Sequence, residues 1–371
     1  MTNTNPHCVL MVDLSRHYGG ADVRVIDLAR LLDGQINYAV VTLEGSGVYR
    51  RLNDAALKTA PQGYKRADPR LLLSICRLIR EKNCTIVDAH NVQSQFWGLI
   101  AAFIERVPHR ISTVHSSYGL TERGLKRFMY EYVLKLNALL GCRFIAVSES
   151  VYNYLITIGI KKEKISLIHN AIYVDENPKK TIHNTLREFL GFDDKDTIIC
   201  SVGRLELVKG HSYLIDAIAE TVKTYPYVRC VIVGEGRMKD TLESQINALG
   251  LTEHVKLLGF RTDVIDILRQ CDIFCMPSLS EGLPYALLEA CLCKLTVVAS
   301  DVGGMAEFLT NEENAILVPP ENPVALASAF ECLLENPDDM HSLAQSALEL
   351  VKKNLSPQTM YDGTLKAYGI Y

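Results

Sequence analysis

Two glutamates eight residues apart carry the clearest chemical signal in the chain, in the stretch Glu281-Gly282-Leu283-Pro284-Tyr285-Ala286-Leu287-Leu288-Glu289. Pro284 suits the first position of a helix, where its missing N–H costs nothing. Glu281 then lies just outside the helix N-terminus, beside free backbone N–H groups that favour anions. Glu289 falls roughly 7 Å further along the axis, at about 1.5 Å per residue. It interrupts the apolar run Ala286-Leu287-Leu288 and Ala290-Cys291-Leu292, which predicts at least partial burial. A buried carboxylate needs hydrogen-bond donors, and vicinal sugar hydroxyls are suitable ones. A capping carboxylate followed by a solvated helical glutamate has the same spacing.

Four other segments pair glycine, cation or imidazole with the end of an apolar run. In Ser201-Val202-Gly203-Arg204-Leu205-Glu206-Leu207-Val208-Lys209-Gly210, Gly203 permits close approach of a ligand. Arg204 and Lys209 could grip a diphosphate, the first as a bidentate fork and the second as a point charge. Val233-Gly234-Glu235-Gly236 offers a second open turn. Near the N-terminus, Ser15-Arg16-His17-Tyr18-Gly19-Gly20-Ala21-Asp22 leads into a helical pattern, so Gly19 and Gly20 could let the backbone approach a phosphate or sugar. Thr113-Val114-His115-Ser116-Ser117 places His115 in a loop. Each has a plain structural alternative: a solvated basic pair, a tight turn, a satisfied histidine. Four such loops in one chain favour a common site.

The elements that must hold these loops are short apolar runs alternating with helical patterns. In the first half the runs are 8–12, 38–43, 85–87, 111–114, 144–147 and 165–168; in the second, 198–202, 228–233, 255–258, 273–276, 296–299 and 316–318. Continuous hydrophobicity marks strands buried on both faces, as in parallel sheets. Six strands per half predict an α/β chain of two doubly wound domains. The expected boundaries are 1–176 for the first domain, 177–196 for a polar linker with Pro178, and 197–352 for the second domain. A C-terminal helix in 353–371 is expected to return to the first. Ligands of open parallel sheets bind beyond the carboxyl ends of the strands, which is where these loops fall.

The 371 residues, 48% of them hydrophobic, suffice for two packed cores. No uninterrupted run of 18 or more apolar residues predicts a spanning helix, and the polar N-terminus lacks signal-peptide features. Eleven cysteines scattered without Cys-x-x-Cys or Cys/His ligand spacing read as buried free thiols of a reducing compartment. Residues 1–180 carry 24 Lys and Arg against 16 Asp and Glu, whereas residues 181–371 carry 15 against 27. The halves differ as +8 and −12. A basic half suits an anionic acceptor or membrane surface, and ordinary surface variation gives the same numbers.

Further motifs lie at the strand ends: Val87-Asp88-Ala89-His90-Asn91, Ala146-Val147-Ser148-Glu149-Ser150, Ile168-His169-Asn170-Ala171-Ile172, Leu258-Gly259-Phe260, Pro277-Ser278 through Glu289-Ala290, and Asp301-Val302-Gly303-Gly304 with Glu307. With Gly19-Gly20, Gly203-Arg204, Lys209-Gly210 and Gly234-Glu235-Gly236, the chain closely resembles the GT-B glycosyltransferases of the retaining family 4 type, the glycosyl transferases group 1 superfamily. The resemblance covers nearly the whole length. It implies two Rossmann-like domains facing across a cleft and a nucleotide-sugar donor held mainly by the second.

By position, the resemblance assigns Arg204 and Lys209 to the diphosphate leaving group and Glu281, with backbone at Gly282 and Leu283, to the transferred sugar. It assigns Glu289 to the ribose hydroxyls, and Gly259 to Arg261 to the border of the base. Gly203, Gly234 and Gly236 shape the donor loops. In the first domain Gly19 and Gly20 would approach the diphosphate, and His115 the donor sugar. Cations and N–H dipoles suit a leaving group that gains negative charge. His169 and Ala171 stand where the family often has Pro and Gly, and Arg237 replaces a frequent proline.

The implied activity is transfer of a hexosyl unit from a UDP- or GDP-sugar to an acceptor hydroxyl on a sugar or lipid-linked acceptor, in cell-surface glycan or glycolipid synthesis. A nucleotide-sugar epimerase of the same fold and a non-catalytic nucleotide-sugar-binding protein are the alternatives. No cofactor, no metal and no nucleic-acid partner are expected. Asp194-Lys195-Asp196 spells an Asp-x-Asp motif but precedes a strand, at the wrong end of the sheet, and reads as a turn. The location expected is cytoplasmic, with peripheral contact to an anionic membrane an open alternative. The segment Arg123 to Leu140 mixes basic and apolar residues; Leu125, Phe128, Met129, Tyr132, Val133 and Leu136 recur at core-helix spacing, which favours packing inside the domain over docking on lipid.

Overall fold

The structure, a computed structural model, describes residues 6–16, 19–116, 124–172 and 186–370. The chain divides into two compact units, Met1–Tyr173 with Leu355–Tyr371, and Val174–Asn354. The first part of the expected linker, through residue 185, lies outside the described residues, and Leu186–Leu190 beyond it is a short helix.

The first unit holds β1 (Cys8–Asp13), β2 (Asn37–Leu43), β3 (Thr59–Gln62), β4 (Ile86–Ala89), β5 (His109–Val114), β6 (Arg143–Ala146) and β7 (Ile165–Leu167). They pair in parallel in the order β3-β2-β1-β4-β5-β6-β7. Burial on both faces explains the continuous apolar runs. Val9 and Met11 of β1 pack in one core cluster while Leu10 and Val12 pack in another, and all four are fully buried. Each such side chain contributes about 1.5–3 kcal/mol relative to exposure.

Seven strands stand here where six were expected. The extra strand, Thr59-Ala60-Pro61-Gln62, lies at the sheet edge and includes a proline. An edge strand can lack one donor, so Pro61 is tolerated where hydrophobic continuity gives no signal.

The second unit holds β8 (Thr197–Val202), β9 (Val228–Val233), β10 (Val255–Gly259), β11 (Ile273–Met276), β12 (Thr296–Ser300) and β13 (Ile316–Val318). All are parallel, in the order β10-β9-β8-β11-β12-β13. Strand order therefore reverses between β1 and β4 in the first sheet and between β8 and β11 in the second, opening a crevice at the carboxyl ends of each pair.

The helix Pro357–Tyr368 starts on Ser356, whose side chain accepts from Thr359 N, with Pro357 in its first turn. Met360, Tyr361, Leu365 and Tyr368 join the first unit's core, and Tyr361 Oη donates to Gln35 Oε1 at 2.8 Å. Among the described residues no helix is long and apolar enough to cross a membrane.

The helix Gly124–Leu139 departs from expectation. Val133, Leu134 and Asn137 are buried, but Leu125, Phe128, Met129 and Tyr132 are each more than half exposed. The apolar spacing predicts a core face along the helix, yet only its C-terminal half meets a core. Arg123 lies outside the described residues.

Candidate functional site

In the second unit the loop after β8 and the loop after β11 meet at the reversal of strand order. Lys209 Nζ forms an ion pair with Glu281 Oε1, and Ser278 Oγ donates to the same oxygen at 2.8 Å. The side chains retain 17% and 11% exposure, so the pair is mostly withdrawn from water yet open to a ligand. Leu279 N donates to Val208 O at 2.8 Å and joins the two loops through backbone. Gly210 has φ +68°, and a Cβ there would collide with the Pro277 carbonyl. Only glycine combines that conformation with that approach.

The neighbouring loops are stacked by backbone hydrogen bonds. Gly203 N donates to Val233 O, Gly234 N to Gly259 O and Leu205 N to Glu235 O, each at 2.9 Å. A Cβ on Gly234 would strike the Gly203 carbonyl, which fixes glycine at that contact. Gly236 lies against Leu205, and Arg237 ties this loop to the β8 loop by gripping Glu206 at 2.7 Å. That ion pair holds the Glu206 carboxyl below its usual range.

Arg204 is exposed, and no ion pair to it is formed among the described residues. Lys209 lies along Gly203, its Cδ 3.5 Å from where a Cβ would stand. Arg261 is held by Asp263 at 2.5 Å, so its guanidinium is committed locally.

Pro284 is not the first helical residue as expected but the residue before it, in extended conformation, and the helix spans Tyr285–Leu292. The shift leaves Glu281 outside the helix. Glu289 is partly buried. Gly304 N donates to Glu281 O at 3.1 Å, so the loop after β12 braces the backbone at Glu281, Gly282 and Leu283.

The turn at Asp194-Lys195 lies ahead of β8, and Asp196 is taken by Arg229 at 3.1 Å and by Asp193 N at 2.9 Å. Asp196 is thus occupied, and Asp194 is exposed, both at the amino end of the sheet.

The first unit's candidates are set in side chains. Gly19 precedes the helix Gly20–Leu32, and its N–H donates to Asp22 Oδ2 at 2.6 Å. Burial, then the charge of Asp13 and a hydrogen bond with it, push the Asp22 carboxyl well up. Asp13 Oδ1 accepts from Asn91 Nδ2 at 2.8 Å and from Ser15 N at 2.9 Å, joining the ends of β1 and β4. Arg24 is buried, its Nη1 3.1 Å from Ile168 O, His169 O and Asn170 Oδ1. His115 is partly buried, and its Nε2 stands 3.3 Å from His90 Nδ1. Burial, then the His90 charge, push the His115 imidazole well below its usual range.

The structure thus joins Lys209 to Glu281, sets Gly203 against Lys209 and stacks Gly234 and Gly236 on the same β8 loop, and it places Gly19, Gly20 and His115 after strands of the first sheet. Sequence reasoning missed Ser278, Asp13, Asp22 and the partners of His115. Asp88 and His90 stood inside a quoted motif, but nothing local shows that they meet His115.

Comparison with known proteins agrees with this architecture. Residues 18–176 match the family model Glycosyltransferase Family 4, and residues 183–350 match Glycosyl transferases group 1. A Campylobacter jejuni N,N'-diacetylbacillosaminyl-diphospho-undecaprenol alpha-1,3-N-acetylgalactosaminyltransferase is 26% identical over 320 residues, covering 81% of this chain and 82% of that protein. An Escherichia coli UDP-Gal:alpha-D-GlcNAc-diphosphoundecaprenol alpha-1,3-galactosyltransferase is 28% identical over 257 residues, 68% of this chain and 66% of that protein. Among solved structures, Anabaena HepE in complex with UDP-glucose superposes with a TM-score of 0.85 at 22% identity, covering 98% of this chain and 100% of that one. Two parallel doubly wound sheets make a GT-B fold, and with the family matches the chain is a GT-B glycosyltransferase. The chain belongs to the glycosyl transferases group 1 family, with a family 4 type first half.

Proposed function

We propose that this glycosyltransferase transfers a hexosyl unit, with retention, from a UDP- or GDP-sugar to a hydroxyl of a sugar or lipid-linked acceptor. The observation that carries the reading is the Lys209–Glu281 pair at the reversal point of the second sheet. A cation for a diphosphate and a carboxylate for a sugar hydroxyl stand within one hydrogen bond of each other. Arg204, exposed and free of ion pairs among the described residues, adds a second cation for the phosphates. As the glycosidic bond to phosphate breaks, Lys209 and Arg204 stabilise the charge gathering on the leaving group. Glu281 orients the transferred sugar, and partly buried Glu289 accepts from the ribose hydroxyls.

In the first unit Gly19, Gly20 and His115 are the groups we assign to substrate. No metal is required where two cations neutralise the diphosphate, and turnover is expected to persist in excess EDTA.

The relatives named above act on undecaprenyl-diphosphate-linked sugars. A lipid-linked acceptor suits the helix Gly124–Leu139, which exposes Leu125, Phe128, Met129 and Tyr132 with Lys126, Arg127 and Lys135 among them. Peripheral contact with an anionic membrane follows from that pattern. The deciding experiment is a donor screen by thermal shift with UDP- and GDP-sugars, then an assay for nucleoside diphosphate released only when acceptor is present. Release without acceptor, or interconversion of the sugar with no release, refutes transfer.

A further inference from the structure

A basic cavity of about 430 Å³ opens in the first unit, in the loops that follow β1, β2 and β3. That is the carboxyl end of the sheet, where doubly wound folds take their ligands, and the volume lies in the range of ligand pockets. Arg16, Lys65 and Arg66 line it against a single acid, Glu44, so its walls carry a surplus of two positive charges. Arg16 and Lys65 are exposed, and neither forms an ion pair among the described residues. We propose that this cavity holds the diphosphate that joins an acceptor sugar to its lipid carrier. The inference rests on the lipid-linked acceptor of the proposed function and gives that acceptor a site.

The walls are held by the backbone and by buried polar groups. Glu44 N donates to Gln62 O at 3.0 Å and carries the β2–β3 pairing past the end of β2. Gly45 turns the chain with φ +71°, and Ser46 caps the helix Gly47–Asp54 by accepting from Tyr49 N at 3.2 Å. The Ser46 hydroxyl, in the cavity wall, keeps its own proton to donate. Gln62, 6% exposed, is fixed at both ends of its amide: Nε2 donates to Ala60 O at 3.0 Å, and Oε1 accepts from Ser74 Oγ at 2.5 Å. Trp97 Nε1 donates to Arg66 O at 3.2 Å and anchors the basic stretch after β3. Arg70 lies over the ring of Tyr64, another wall residue, and is committed to Asp68 at 2.6 Å. A diphosphate esterified at both ends carries one negative charge on each phosphate, which matches the surplus on the walls. A guanidinium can grip two oxygens of one phosphate while the lysine serves the other as a point charge. Walls of one dominant sign also raise the local concentration of such an anion. The same unit carries the exposed apolar face of the helix Gly124–Leu139, so the lipid tail and its diphosphate each find a surface of matching chemistry there.

Trp97 is the chain's single tryptophan, and its hydrogen bond to Arg66 makes its emission a local probe of this cavity. Farnesyl diphosphate and inorganic pyrophosphate should each bind the full-length protein in calorimetry with no donor present, and Trp97 emission should follow the same titration. Inorganic phosphate should bind about 10-fold more weakly, because it engages fewer of the cations at once. Arg16→Gln and Lys65→Gln should each weaken farnesyl diphosphate on the order of 10-fold, the loss of one charge-assisted hydrogen bond. Both side chains are exposed, so the melting temperature should stay at the parent's. The thermal shift given by UDP- and GDP-sugars should also be the same in these variants as in the parent. Arg204→Gln, which removes a cation of the second unit, should leave the Trp97 titration in place. If Trp97 emission does not respond, the calorimetric constants of the three variants decide. Farnesyl diphosphate that binds equally well to both first-unit variants, or no longer binds to Arg204→Gln, sits elsewhere and overturns the proposal. So does failure of both diphosphates to bind, or phosphate that binds as tightly as pyrophosphate. Pyrophosphate that binds where farnesyl diphosphate does not marks a site for a free anion and overturns it as well. None of these measurements needs turnover, so failure of sugar transfer and failure of this site are separate results.

Discussion

The two units solve the same problem in different materials. The second builds its site from backbone: glycines stack the loops after β8, β9 and β10, and the Lys209–Glu281 pair joins the β8 loop to the β11 loop. The first builds from buried titratable side chains, with Asp13 against Asp22 and Asp88 against His90 and His115. Backbone stacking places loops with little electrostatic cost. Side-chain networks fix protonation states, at the cost of desolvating every group in them. The first unit should therefore be the more sensitive to isosteric changes of charge, and the second to changes of shape.

The pH response should separate them most sharply, with opposite sign. Burial raises the Asp27 carboxyl of the first unit to about 7 against an ordinary 3.8, with Arg30 opposing. The folded state then holds a proton that the unfolded chain releases, so this group's contribution falls as pH rises from about 4 to about 7. Burial, then the charge of Lys209, lowers the His211 imidazole of the second unit to about 3 against an ordinary 6.5. There the unfolded chain binds the extra proton, so stability is lost as pH falls below about 6.5. Each shift amounts to at most about 5 kcal/mol, at 1.4 kcal/mol per unit. Asp27→Asn should gain stability relative to the parent as pH rises, and His211→Gln should gain as pH falls, in urea unfolding curves. Parallel curves for parent and variant would remove that group from the comparison.

Within the second unit, charge and shape should also separate. Glu281→Ala is expected to lower kcat roughly 10²- to 10³-fold, about 3–4 kcal/mol, because a contact to the reacting sugar counts most in the transition state. Nucleoside diphosphate should still bind, as measured by calorimetry. Gly210→Ala should instead destabilise the fold by about 2–3 kcal/mol, since it adds left-handed strain to a collision with Pro277. Gly203→Ala, which meets only the flexible Lys209 side chain, should leave the melting temperature close to the parent's. Equal stability of the two alanine variants would mean that backbone contact does not hold these loops.

This difference in materials also decides what the sequence reveals. Lys209 and Glu281 are 72 residues apart, yet each carries a local signature: glycine beside a cation at a strand end, and a carboxylate before a Gly-Leu-Pro turn. All six strands of the second sheet coincide with short, mainly apolar runs, so their number and places can be read directly. Asp88 and Tyr368 are 280 residues apart, and nothing around either one announces a partner. β3 escapes for a related reason: four residues with a proline in their middle carry no hydrophobic continuity, and edge pairing alone makes them a strand. The helix Gly124–Leu139 shows the opposite failure. Its apolar spacing is genuine, but spacing cannot tell a core from another apolar phase.

That helix gives the smallest effect and the last contrast, since it lies in the basic half of the chain. Leu125 is 74% exposed and Phe128 65%, in a segment that also bears Lys126, Arg127 and Lys135. Arg127 is engaged by Glu131 at 2.9 Å, but that surface pair costs little to open. Vesicles containing anionic lipid should bind the protein in a flotation assay, and neutral vesicles should bind it less. Replacing Lys126 and Arg127 with glutamine should weaken binding by about 1 kcal/mol per residue, and the difference should shrink as salt screens the surface. Phe128→Ser should weaken binding at every salt concentration, because burial of an aromatic ring does not depend on screening. If both kinds of vesicle recover the protein equally, the charge asymmetry between the halves has no part in docking. If Phe128→Ser binds like the parent, the exposed apolar face has none either.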